Sequence, residues 1–115
     1  MIALTVATSP VAEPAAGVFD GYDCAAPVSD QRVILLDGEI HYYETSCRLE
    51  APEPVAGMGD AVLYWADCAG EGQIWRERAL LMTRMGGDLI VVGDGWAERY
   101  ARCPGLDAEQ EARRQ

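Results

Sequence analysis

Four cysteines constrain what this chain can fold into more than any other feature of its sequence. They are widely spaced, at Cys24, Cys47, Cys68 and Cys103. Zinc ribbons and zinc fingers need two close cysteine pairs, because a short knuckle presents two thiolates to one ion. No such pair is present, so an even number of distant cysteines in a chain of 115 residues predicts two disulfides. Disulfides in turn predict an oxidising compartment, periplasmic or secreted.

Four cysteines allow three pairings, and the sequence favours one of them. Cys47 and Cys68 fall on predicted consecutive strands, so a bridge between them would join neighbours. A Cys24–Cys103 bridge would then tie the two ends of the domain together. The preferred pairs are therefore Cys47–Cys68 and Cys24–Cys103, while the other two pairings stay open.

The charge balance is strongly acidic. Nineteen Asp and Glu residues stand against nine basic residues, all of them arginine, which gives a formal net charge of −10. Such a chain repels phosphate backbones and anionic lipid surfaces, so we expect neither nucleic-acid binding nor membrane insertion. The same charge attracts a basic protein partner, although acidity also serves solubility alone.

Missing residue types remove several classes of chemistry. Without lysine there is no Walker-type phosphate loop and no Schiff-base or pyridoxal chemistry. Without asparagine there is no N-glycosylation acceptor. The single histidine, His41, excludes a two-histidine metal site built from one chain. We therefore expect neither a cofactor nor a metal.

Short apolar runs separated by turns predict an antiparallel β domain. Asp37-Gly38 and Asp94-Gly95 favour hairpin turns, since glycine readily adopts positive φ. Segments 51–60 and 69–73 are rich in glycine or proline and are predicted as loops. The predicted strands cover 33–36, 39–45, 47–50, 61–68, 74–83, 89–92 and 96–102. This spacing is typical of an all-β antiparallel barrel or sandwich with about six to eight strands.

One of these segments fits two patterns. As a strand, 74–83 places Trp75 and Leu81 on the same side. As a helix, it would place Trp75 on one face with Arg78 and Met82. We prefer the strand.

The two ends of the chain differ in composition from its middle. Residues 1–16 are apolar and rich in small residues, like a leader or signal-peptide remnant, but they lack a basic n-region. Residues 17–105 contain the predicted strands and all four cysteines, and they are predicted to form a single β domain. Residues 106–115 are polar and are predicted to form a frayed helical tail. No apolar run approaches the length of a transmembrane helix.

Three short segments carry a family resemblance. Residues 43–47 (YETSC), 68–75 (CAGEGQIW) and 100–103 (YARC) resemble small, uncharacterised exported four-cysteine β-domain proteins of alphaproteobacteria. The resemblance covers residues 17–104. It implies export and a β fold, and it implies no activity.

Two acidic residues form the first candidate site. Glu44 and Glu71 each lie three residues from the predicted Cys47–Cys68 bridge, so the two could face one another. Paired carboxylates can divide acid and base roles, or they can bind a cation such as calcium. The alternative is that both are surface residues, each paired with Arg48 or Arg76.

His41 and Ser46 form a second candidate, a base and a nucleophile. They are five residues apart on one predicted strand, so they would point to opposite faces and make a poor catalytic pair. A structural or solvent-facing histidine is the favoured interpretation.

Aromatic residues are numerous for a small domain, and they form the third candidate. They include Trp65, Trp75, Trp96, Tyr43, Tyr64 and Tyr100. Together on one exposed face they would form a binding surface, whereas in a β domain they more often pack in the core. The possible binding residues are Glu44, Glu71, Tyr43, Trp75 and Arg76.

These observations favour a non-catalytic periplasmic or secreted binding module, with a basic protein as its partner. The first alternative is an accessory subunit of an envelope or particle assembly. The second is a carboxylate-dependent hydrolase that uses Glu44 and Glu71. The oligomeric state stays open.

Overall fold

The protein is an eight-stranded antiparallel barrel, described over residues 12–114 by a computed structural model. Its elements are β1 (Gly17–Asp20), β2 (Arg32–Leu36), β3 (Glu39–Tyr42), β4 (Thr45–Pro54), β5 (Val62–Gly70), β6 (Gln73–Thr83), β7 (Leu89–Gly93), β8 (Trp96–Arg102) and α1 (Ala108–Arg113). Each strand pairs with the next in sequence, and β1 pairs with β8 to close the barrel. The predicted all-β fold is confirmed, as a barrel rather than a sandwich.

Buried and more exposed residues alternate along the strands, and the buried ones fill the barrel interior. In β5 the buried residues are Val62, Tyr64, Ala66 and Cys68, and the residues between them are partly exposed. Successive side chains of a strand point to opposite faces, so one half of each strand fills the interior. In β6, Trp75, Ala79 and Leu81 point inward as predicted for a strand.

The predicted hairpin turns form, and one turn was not predicted. Asp37 and Gly38 both have positive φ, 52° and 75°, as a type I′ turn requires. Residues 39–45 were predicted as one strand, which is wrong, because Tyr43 and Glu44 make a tight turn between β3 and β4. Glu44 has a φ of 59°. No glycine, proline or asparagine marks this turn in the sequence, so turn chemistry could not reveal it.

Strand β4 is longer than predicted, because residues 51–54 continue it instead of opening a loop. The register shifts between Glu50 and Glu53, a bulge at which Ala51 has a φ of 50°. Pro54 fits within the strand because β3 pairs only with residues 45–48 of β4, so among the described residues the far part of β4 is an edge. Proline is tolerated at such edges, where no ladder bond needs its missing N–H.

Both predicted disulfide pairs are confirmed. Cys47 and Cys68 are direct cross-strand partners inside the barrel, with their Cα atoms 4.0 Å apart. Cys24 and Cys103 are joined outside it, with a Cα–Cα distance of 5.5 Å. The second bridge belongs to a small outer core on β1 and β2, whose buried members are Val18, Ile34 and Cys103.

The predicted polar tail contains the helix α1, which contacts β1 and β2. Asp107 caps its N-terminus by accepting a hydrogen bond from the Gln110 amide at 3.1 Å. Glu111 is buried although it is charged. No helix within residues 12–114 is long and apolar enough to cross a membrane.

The predicted leader, 1–16, lies outside the described residues except for its last five. Within those five, Glu13 accepts a hydrogen bond from the Tyr64 hydroxyl at 2.8 Å, and Pro14 is buried. Burial, together with the Glu13 carboxylate, raises the pKa of Tyr64 well above its usual value.

Candidate binding surface

One end of the barrel gathers four connections that are far apart in sequence. In an up-and-down barrel alternate connections lie at the same end, here residues 21–31, 43–44, 71–72 and 94–95. We call this surface, together with the side chains of β6 and β8 that face the barrel mouth beneath it, the loop end. Connections 37–38, 55–61 and 84–88 lie at the opposite end.

The loop end carries a surplus of negative charge. Seven carboxylates lie there without an ion pair to any residue in 12–114: Asp23, Asp30, Glu44, Glu71, Glu77, Asp94 and Glu98. Six of the nine arginines, in contrast, form ion pairs on the barrel sides or on α1: Arg32, Arg76, Arg78, Arg99, Arg113 and Arg114. The net charge is therefore concentrated at one end.

Of the six exposed large apolar side chains in residues 12–114, four lie at or beside this end, whereas Met58 and Met85 lie at the opposite end. Tyr22, Val28, Tyr43 and Ile74 have exposed fractions of 75%, 79%, 54% and 89%. A large apolar side chain held in water within an acidic rim is typical of a protein-binding surface.

A groove of about 650 Å³ opens beside the β3–β4 turn. One wall is formed by Pro27 and Val28, and the other by Tyr43 and Glu44 at the turn. Arg32 and Arg114 also line it, and both are paired with Glu111, at 3.7 and 3.2 Å, so Glu44 is the lining carboxylate without an ion pair in residues 12–114. The volume is in the range that accepts a small ligand or an anchoring side chain of a partner.

The loop wall of the groove is held rigidly by Arg32. Its Nε lies 3.1 Å from the Asp20 carboxylate, and both side chains are buried. Its Nη2 donates to the carbonyl oxygens of Asp23, Cys24 and Ala26 at 3.2, 3.3 and 2.8 Å. One guanidinium thus fixes the loop that follows β1, and a fixed loop loses less entropy on binding.

Asp20 completes this network from the strand side. Its Oδ1 accepts hydrogen bonds from the amides of Tyr22 and Asp23 at 2.7 and 3.0 Å, and from the Ser29 hydroxyl at 2.9 Å. Neither Asp20 nor Arg32 was predicted from the sequence as a site residue. The sequence marks them only by position, because Asp20 ends the apolar run of β1 and Arg32 begins the apolar run of β2.

The predicted carboxylates come to the same end of the barrel. Thr45 pairs with Gly70, so the turns that carry Glu44 and Glu71 are neighbours. Only Glu44 lines the groove. The expectation that Arg76 pairs with one of them is wrong, because Arg76 lies 3.1 Å from the Asp67 carboxylate.

The remaining predicted binding residues are divided between two places. Tyr43 is exposed at the loop end, and Trp75 is half-buried in the barrel mouth, where its Nε1 donates to Glu77 at 3.1 Å. Arg76 lies on the outer face of the barrel, with its guanidinium 4.7 Å from the centre of the Trp65 ring.

Most of the aromatic residues belong to the core, which was the favoured alternative. Tyr42 and Trp96 meet edge to face, with ring centres 6.5 Å apart, and close the barrel mouth. Burial raises the pKa of Tyr42 and of Tyr100, and nearby negative charge adds to the effect.

His41 and Ser46 lie on the same face, so the prediction of opposite faces is wrong. The unpredicted turn at 43–44 makes them direct cross-strand partners on β3 and β4. His41 Nε2 lies 3.3 Å from the Glu39 carboxylate. Over residues 12–114 no hydrogen bond joins His41 to Ser46 and no cluster of His, Cys, Asp or Glu is arranged to hold a metal.

Comparison of the chain with protein-family models, with curated proteins and with solved structures finds no match.

Proposed function

We propose that this protein is a non-catalytic binding module of the periplasm or the extracellular space, and that its loop end docks a basic protein. The observation that carries the proposal is that seven carboxylates without an ion pair in residues 12–114 lie at one end of the barrel together with four exposed apolar side chains. The two disulfides are compatible with an oxidising compartment, and the family resemblance supports export.

Charge and apolar contact would play different parts in this binding. An acidic surface steers a basic partner and raises the association rate by roughly 10- to 1000-fold at low salt. Affinity comes mainly from a few buried anchors, for which Tyr43 and Val28 are the exposed candidates. A partner would therefore combine basic residues with at least one apolar contact.

The groove supplies a place for one anchor of the partner. Its walls at Val28 and Tyr43 suit an aliphatic stem, and Glu44 at the turn suits a cationic head. Arginine and lysine combine these two features, since their stems are apolar and their heads charged. An arginine of the partner is the occupant that fits this chemistry best.

Neutralising the loop end is expected to weaken binding by about 10- to 100-fold at low salt. The test variant carries Glu44→Gln, Glu71→Gln, Glu98→Gln and Asp94→Asn. Binding is measured by interferometry against three probes, a lysozyme, a basic ribonuclease and an acidic albumin, at low and at high salt. The expected loss is in the association rate, and it should disappear at high salt because exposed charges are screened.

A matched control carries the same change in charge away from the loop end: Asp37→Asn, Glu39→Gln, Glu50→Gln and Glu53→Gln. It is expected to change the association rate by less than about threefold, because these carboxylates do not face the docking surface. Equal losses in the two variants, or no binding of either basic probe at low salt, would refute the proposal.

An accessory subunit of an assembly is a second candidate, favoured by an apolar row on the outer face of the barrel. Leu63 is the cross-strand partner of Leu80, and Leu80 is the partner of Val92. These half-buried side chains pack against neither core cluster. Leu80→Glu is expected to abolish co-sedimentation with the native cell envelope while leaving lysozyme binding unchanged. Co-sedimentation that survives the substitution would contradict this candidate.

A further inference from the structure

Strand β6 is longer than the neighbour that should cover it. It runs over eleven residues, Gln73–Thr83, and pairs along most of its length with β5. On its other side, β7 pairs only with Leu80–Thr83. Seven residues, 73–79, therefore have no neighbouring strand on that side within the described chain.

The direction of the free backbone groups follows from one hydrogen bond. The Arg84 amide donates to the Asp88 carbonyl at 3.0 Å, so at this position the backbone points toward the β7 side. Backbone groups two residues apart on a strand point the same way. The register of β6 with β5 is continuous, so the N–H and C=O groups of Ile74, Arg76 and Arg78 point away from β5.

The pairing of β4 with β3 and β5 independently gives the same direction for the backbone groups of β6. The Leu49 amide donates to the Gly38 carbonyl at 2.8 Å, so Cys47, two residues earlier, also points its backbone away from β5. The pair Cys47–Cys68 must then be a narrow, non-hydrogen-bonded pair, as its Cα–Cα distance of 4.0 Å indicates. Cys68 thus points its backbone toward β6, and its partner Trp75 points toward β5.

The charged side chains of this edge do little to exclude a basic strand, because the inward-facing Glu77 repels only acidic side chains. Charged side chains usually discourage pairing at an exposed strand. Here the guanidinium groups of Arg76 and Arg78 lie 4.7 and 4.6 Å from the centre of the Trp65 ring, over β5. Both are held back from the edge, and Ile74 is 89% exposed beside it.

The side chains around the edge suit a basic segment. Trp75 and Glu77 face the barrel mouth, which Glu98 on β8 also faces. Inward side chains of an added strand would meet these two carboxylates, and outward ones would lie beside Ile74. Alternating basic and β-branched residues therefore fit, and seven residues span roughly 23 Å, a common strand length.

We propose that residues 73–79 of β6 bind an extended basic segment as an added strand, with its backbone paired to Ile74, Arg76 and Arg78. This proposal rests on the proposed function and names the way in which the basic partner is held. Addition of a strand to a free sheet edge supplies affinity through backbone hydrogen bonds, while alternate side chains supply specificity.

The test uses a synthetic peptide, Arg-Val-Arg-Thr-Arg-Val-Arg, and two variants of the protein. Ile74→Pro removes an N–H that makes no bond to β5, so the fold should persist. It is expected to raise the Kd for the peptide about tenfold, whereas the control Ile74→Thr should change it less than about twofold. Isothermal titration calorimetry gives both values, and circular dichroism checks folding.

Amide hydrogen exchange of the unaltered protein gives a second readout that does not depend on any variant. Peptide binding should slow exchange at Ile74, Arg76 and Arg78 and leave Trp75 and Glu77 unchanged, since those two amides already bond to β5. A peptide N-methylated at alternate residues, on the edge that would face β6, should lose both binding and protection.

Failure of this inference can be distinguished from failure of the proposed function. If the basic probes bind but Ile74→Pro and Ile74→Thr bind the peptide equally, or the three amides are not protected, strand addition is overturned and the docking function stands. If neither the peptide nor the basic proteins bind, both are overturned.

Discussion

Removing the Cys24–Cys103 bridge is expected to lower the free energy of unfolding by about 4 to 5 kcal/mol. The two cysteines are 79 residues apart, and a bridge that closes a longer loop removes more entropy from the unfolded chain. A domain of this size is usually stable by about 5–15 kcal/mol. The double variant Cys24→Ala, Cys103→Ala should therefore be only marginally folded, as urea denaturation would measure.

The inner bridge provides the matched control. Cys47 and Cys68 are 21 residues apart, so their replacement by alanine should cost about 3 kcal/mol from chain entropy. Proteolysis should also distinguish the two variants, because the outer bridge joins the β1–β2 loop to the segment before α1. A smaller loss from the outer bridge than from the inner one would contradict the expected order.

Replacing Arg32 by methionine is expected to cost about 3–5 kcal/mol, because it leaves the carboxylate of Asp20 buried without its counter-charge. The side chain of Asp20 is 0% exposed and that of Arg32 is 7% exposed. Three loop carbonyl oxygens would lose their donor at the same time. The loss should appear in urea denaturation and in faster proteolysis between residues 21 and 31.

Two further variants separate the buried ion pair from the general effect of removing an arginine. Asp20→Asn combined with Arg32→Met should cost less than the sum of the two single changes, because neither charge is then left alone. Arg113→Met removes an exposed partner of Glu109 and should cost less than about 0.5 kcal/mol. A cost for Arg32→Met as small as that for Arg113→Met would show that the network does not hold the loop.

Local patterns account for the parts of the fold that were predicted correctly. Alternation in 61–68 and 74–83 predicted β5 and β6 because side-chain direction along a strand depends only on parity. Asp37-Gly38 predicted a hairpin because its φ angles are a property of those two residues. The cysteine pairs followed, since Cys47 and Cys68 lie on consecutive strands.

Errors occurred where a residue took a conformation against its own preference. Glu44 and Ala51 both have positive φ, which non-glycine residues rarely adopt without support from their surroundings. The first makes the turn that separates β3 from β4, and the second makes the bulge that lengthens β4. His41 and Ser46 share a face because of the turn at Glu44, and since that turn was not predicted, their shared face was not predicted either.

For the candidate site, too, local features could be predicted from the sequence and their arrangement in space could not. By itself the sequence determined the acidity of the chain and the all-β class, and it named Tyr43, Glu44, Glu71 and Trp75 as candidate residues. It favoured the correct disulfide pairs without excluding the other pairings. Only the tertiary structure decided that seven carboxylates from four distant segments share one end and that Arg32 and Asp20 fix a loop beside them. It also decided that residues 73–79 of β6 have no neighbouring strand on the β7 side among residues 12–114. The physical reason is closure of the barrel, because the registers that join β1 to β8 and leave β7 short of β6 depend on all eight strands at once.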